Sequence, residues 1–180
     1  MFLLFSVLSL KNHKLIHMQR VFQLFSFVFI VGLFSCQTQS EPELRASTYL
    51  LHRANYNPVR GEVTVTEVGP GILEFRINVE NTVEGGIHPA HLHFGDVSQV
   101  GELALRLNDV DGATGESVTL VEHATLSDGR ELTYDLFLTL DGSVKIHMND
   151  NYFKHMVLSF GNVGKNEDYL FDGVAVCTGH

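Results

Sequence analysis

The sequence predicts an all-β fold, a β-sandwich or Greek-key barrel, and three observations lead there. Apolar and polar residues alternate with period two over most of residues 47–180. Glycine-containing turn pairs separate the alternating runs, and no stretch beyond residue 46 has helical periodicity. Strict alternation marks half-buried antiparallel strands, whose successive side chains face opposite sides of a sheet.

Taken in order, Val63 and Val65 alternate with Thr64 and Thr66 to give a first strand. After Gly69-Pro70-Gly71, Phe75, Ile77 and Val79 alternate with Arg76, Asn78 and Glu80. Leu103, Leu105 and Leu107 form the next inward-facing set, then Leu132, Tyr134, Leu136, Leu138 and Leu140, then Val144, Ile146 and Met148. Asp128-Gly129 and Asp141-Gly142 read as hairpin turns, because glycine accepts the positive φ of a tight turn. Gly85-Gly86, Asp111-Gly112 and Asp172-Gly173 also end runs. The spacing predicts about nine or ten short strands in a single domain, residues 47–180.

The N-terminal region has a different composition. Residues 1–35 contain no Asp or Glu, and their charges are Lys11, Lys14 and Arg20. The apolar run 21–34 is shorter than the roughly 20 residues that span a bilayer, and it suits a signal-peptide core. It ends at Leu33-Phe34-Ser35-Cys36, which resembles the bacterial lipobox, with Phe34 bulkier than the usual occupant. That resemblance implies cleavage before Cys36 and lipid on its sulfur, anchoring the protein to a membrane. An uncleaved signal anchor and an ordinary secreted protein are the competing readings. Met18-Gln19-Arg20 would open a more ordinary signal peptide than Met1 does. Residues 36–46, polar and containing Pro42, read as a flexible tether. Gln37 stands where an aspartate retains some lipoproteins at an inner membrane, so an outer-membrane address in a bacterial envelope is favoured.

The formal net charge is −9, and residues 1–35 hold three positive charges and no negative ones, so their removal leaves −12. Such an acidic surface argues against nucleic acid and anionic lipid as partners; the expected partners are the membrane, through the lipid, and an unidentified envelope protein or small ligand. With Cys36 lipidated, Cys177 has no cysteine to pair with, so the core alone must hold the fold.

The densest polar feature is His88-Pro89-Ala90-His91-Leu92-His93-Phe94. On a strand, His91 and His93 project from the face opposite Ala90, Leu92 and Phe94. The run Val144–Met148 likewise places Lys145 and His147 outward. If the two strands lie close, three imidazoles converge in a set suited to zinc or copper, with His88 a fourth donor from the preceding loop. The same spacing also describes a solvent-facing strand, or a pair hydrogen-bonded to a covering loop. His52, His123, His155 and His180 have no such company. No nucleophile elbow, phosphate-binding glycine loop or His-Glu-x-x-His motif is present, so no catalytic set is assigned.

The His88–Phe94 segment, Leu107–Gly115, Leu132-Thr133-Tyr134, Asp141–His147 and Ser159–Gly164, in that order, resemble the chordin-type (CHRD) domain family. Ile146-His147 stands for the family's Val-His pair, and Lys145 for a commoner asparagine. The resemblance implies an immunoglobulin-like β-barrel, distantly similar to copper/zinc superoxide dismutases, in an envelope protein without a settled activity. The leading expectation is a lipid-anchored, non-enzymatic module that binds a metal ion or an extracellular partner. The alternative is a dismutase-type redox enzyme with His91, His93 and His147 as copper ligands. Against it stand the missing disulfide partner for Cys177 and the absence of any arginine after Arg130.

Overall fold

In the computed structural model, the alternating runs of the sequence lie side by side as a meander: β1 (Arg45–Arg53), β2 (Arg60–Gly69) and β3 (Ile72–Glu80). The structure describes residues 43–54 and 56–168. Cys36 and the whole N-terminal apolar segment lie outside these, as do Asp172-Gly173, Cys177 and His180. β1 pairs with β2 from Arg45↔Glu67 to Leu51↔Gly61, and β2 pairs with β3 from Arg60↔Glu80 to Gly69↔Ile72. That register gathers Tyr49, Leu51, Val63, Val65, Leu73, Phe75 and Ile77 into one buried layer. Gly71 closes the turn before β3 at φ 69°, a conformation that costs glycine little.

The remaining elements are β4 (Ile87–His88), β5 (Ala90–Phe94), β6 (Leu103–Arg106), β7 (Val110–Asp111), β8 (Glu116–Glu122), α1 (Tyr134–Thr139), β9 (Asp141–His147) and β10 (Val157–Gly164). Eight of the strands form one antiparallel sheet in the order β6-β5-β9-β10-β1-β2-β3-β8, curled into a half-barrel. β4 and β7 form a separate two-stranded pair. The all-β prediction therefore describes the fold. The concave core joins Ala90, Leu92, Val144 and Ile146 of the β5–β9 half to the meander's apolar layer.

Three local expectations are corrected. The run Leu132–Leu140, read as a strand, contains the helix α1. Its apolar residues satisfy both periods, since Leu132, Leu136 and Leu140 are also spaced by four. Thr133 decides between them: its hydroxyl accepts the N–H of Leu136 at 3.2 Å and caps the helix. Asp135 then sits in the first turn, where the helix dipole favours negative charge. Tyr134 and Phe137 become the buried pair, and Phe137 meets Tyr49 and Phe75 edge-to-face at 5.7 and 5.6 Å.

Asp141-Gly142, expected as a hairpin turn, instead opens β9. Gly142 pairs with Val163 on one side and Phe94 on the other. The chain turns one residue earlier, at the extended Leu140. In β6 the buried residue is Ala104, while Leu103 and Leu105 are half-buried. A register shift between Leu92 and His93 breaks the alternation of β6 against β5.

Candidate metal centre

The pleat of β5 places Ala90 and Leu92 in the core and aims His91 and His93 at the opposite face. In β9, Val144 and Ile146 are the core residues, leaving Ser143, Lys145 and His147 on that same opposite face. The strands are hydrogen-bonded neighbours, with His91 opposite Lys145 and His93 opposite Ser143. Adjacency of β5 and β9 therefore brings the three imidazoles together. Ring centroids lie 4.9 Å apart for His91 and His147, 5.7 Å for His91 and His93, and 6.2 Å for His93 and His147. Each ring offers one nitrogen, and these nitrogens all lie within 4.8 Å of one another.

Of the two arrangements that the spacing leaves open, a solvent-facing strand and a strand under a covering loop, the structure has the second, and this face is buried. Relative exposure is 8% for His91, 0% for His93, 2% for His147 and 0% for Lys145. The cover is the segment 95–102 between β5 and β6. Val97 packs with Ala54 and Phe160, and its N–H donates to Asn162 Oδ1 at 2.8 Å. Lys145 Nζ donates to the carbonyl of Gln99 at 3.0 Å. His93 Nδ1–H donates to the carbonyl of Gly101 at 3.3 Å. Asp96 organises the bend by accepting from the Ser98 backbone N–H, the Ser98 hydroxyl and Gln99 Nε2. Burial alone would raise the Asp96 carboxyl, but the hydrogen bonds from Ser98 and Gln99 outweigh it and hold the group below its usual range.

These contacts bear on which ring nitrogens can bind a metal. A carbonyl only accepts, so His93 carries a proton on Nδ1, and in the neutral ring this leaves the lone pair on Nε2. Metal-binding histidines are commonly oriented by a backbone carbonyl in this manner. His91 is held differently, since its Nε2 accepts from Arg106 Nη1 at 3.2 Å. Ser143 Oγ is buried beside the cluster without a hydrogen-bond partner among the described residues. Three neutral imidazoles without a carboxylate suit zinc or copper and give little to hard cations such as calcium or magnesium.

The fourth expected donor, His88, is not in the group. It is buried in β4, and its Nδ1–H donates to the carbonyl of Met148 at 2.9 Å. His52 and His155 are exposed, and His123 pairs with Glu131 at 2.9 Å. An open groove of about 510 Å³ runs beside the covering segment, lined in part by Phe94, Gln99, Arg130 and Asp141, and none of the three clustered histidines lines it. Strand spacing marks Lys145 as an outward polar position and singles out none of Arg106, Gly101 and Asn162. Their roles depend on which strands are neighbours and on how the 95–102 segment folds back, and local spacing encodes neither. The chain matches no protein-family model, and no curated protein matches it.

Proposed function

We propose that this protein is a lipid-anchored cell-envelope β module of the chordin type, non-enzymatic, that binds a zinc or copper ion through His91, His93 and His147. The observation that carries the proposal is the meeting of three buried imidazoles from two neighbouring strands, with nitrogens within 4.8 Å. Three imidazoles that converge from neighbouring strands form a donor set of the kind that zinc and copper take. The Gly101 carbonyl already sets His93 in the tautomer that such an ion requires. When bound, the ion supplies a cross-strand tie between β5 and β9.

Elemental analysis of the full chain, purified in detergent after growth with zinc and copper, tests the site. About one ion per chain is expected, falling to background in His91→Ala and in His147→Ala. An empty wild type under metal-replete conditions overturns the proposal. A copper-dependent dismutase is the competing reading, because the donors are all imidazole. Superoxide consumption by copper-loaded protein, lost in His93→Ala, would establish it instead. The anchor rests on Leu33-Phe34-Ser35-Cys36. Palmitate labelling of the parent and none in Cys36→Ala is the expected result, and equal labelling of both overturns the anchor.

A further inference from the structure

His91 and His93 belong to one strand and one cluster, yet their hydrogen bonds have opposite consequences for a metal. A neutral imidazole has one N–H and one lone pair. His93 spends its N–H on the Gly101 carbonyl, a bond that does not use the lone pair of the neutral ring. At His91 the lone pair itself is engaged: a guanidinium cannot accept, so Arg106 Nη1 donates to His91 Nε2, and the ring proton sits on Nδ1.

Neither route to metal binding preserves that bond. An ion on Nε2 takes the lone pair that Arg106 now occupies. An ion on Nδ1 requires the proton to move to Nε2, which then points a donor at a donor. Arg106 must leave His91 in both cases. Its position permits this, because Arg106 is directly opposite His91 on the edge strand β6 and is itself exposed. The guanidinium can turn into water and regain its hydrogen bonds there.

Resting on the metal-site reading above, we propose that Arg106 is a latch: it competes with the metal ion for His91 and so sets the affinity of the three-histidine site. It keeps the metal-free site ordered and weakens loading by the strength of one charge-assisted hydrogen bond. Removing the latch therefore tightens binding, whereas removing a ligand abolishes it.

The test is a zinc titration of the full chain in detergent, competed against a chromophoric chelator. Arg106→Ala is expected to bind zinc about ten- to a hundred-fold more tightly than wild type. Arg106→Gln, a weaker neutral donor, falls between them. Arg76→Ala removes an equal charge from an exposed position paired with Glu74 on β3, and it is expected to match wild type. Long-range proton–nitrogen spectra of the metal-free protein should show His91 protonated on Nδ1 in wild type and without that preference in Arg106→Ala. Zinc bound by the wild type with no gain in Arg106→Ala, or an equal gain in Arg76→Ala, overturns the latch alone. Zinc bound by neither wild type nor Arg106→Ala overturns the metal reading beneath it.

Discussion

At the scale of the residue, one glycine ties the covering segment to the cluster. Gly101 has φ 59°, and a Cβ there would lie 2.1 Å from the Phe94 carbonyl oxygen. An alanine is therefore strained in its backbone and also collides with a neighbouring strand. The carbonyl of Gly101 is the acceptor for His93 Nδ1–H, so any shift of this peptide releases the ring. Gly101→Ala is expected to lower zinc affinity about ten- to a hundred-fold, the usual effect of losing a ligand's outer partner. Chelator competition measures it, and unchanged affinity would separate the bend from the site. His91, His93 and His147 were readable because strand periodicity alone assigns a side chain to a face. Gly101 and Arg106 were not, because each acts through a partner across a loop or a strand pairing.

At the scale of the element, α1 and the covering segment show what local pattern left undecided. An apolar residue at every second position also supplies one at every fourth, so Leu132–Leu140 fits either a strand or a helix. The Thr133 cap and the burial of Phe137 settle the choice. Thr133→Ala is expected to lower stability by about 1 kcal/mol, from the lost cap. Phe137→Ala, at a position with 0% exposure, is expected to lower it by about 3–5 kcal/mol. Urea denaturation of both variants distinguishes a capped, packed helix from a surface strand, since loss of the Thr133 hydroxyl would be neutral in a strand. The covering segment gives a prediction in pH. Asp96 sits below its reference value of 3.8 in the folded protein because its hydrogen bonds with Ser98 and Gln99 outweigh the opposing effect of burial. A carboxyl depressed by folding contributes stability above its unfolded value and loses it as pH falls through the folded one. Backbone amides of residues 97–101 should therefore lose hydrogen-exchange protection below about pH 4. In Asp96→Asn the protection should already be reduced at neutral pH and should respond little to acid.

At the scale of the whole molecule, the class of fold was legible and its topology was not. Alternation at Val63–Val65 and Phe75–Val79 shows that strands exist and which faces they bury. It does not order β6-β5-β9-β10-β1-β2-β3-β8, in which β5 meets β9 across some fifty residues of chain. That pairing creates the histidine cluster, so the site is a property of the sheet. A metal ion should consequently act on global stability. An ion that binds the folded state alone stabilises it in proportion to the logarithm of its concentration, about 2.7 kcal/mol at a hundred-fold excess over Kd. The expected outcome is an unfolding midpoint that climbs steadily with zinc and returns to the metal-free value on chelation. The added protection from hydrogen exchange should concentrate in β5 and β9, the strands that carry the ligands. His147→Ala should abolish the zinc response while leaving Leu92, Val144 and Ile146 packed as before, because His147 lies on the face opposite the core. A midpoint that rises equally in wild type and His147→Ala would mean that zinc binds elsewhere on this acidic surface, and the three imidazoles would then serve only to hold the covering segment in place.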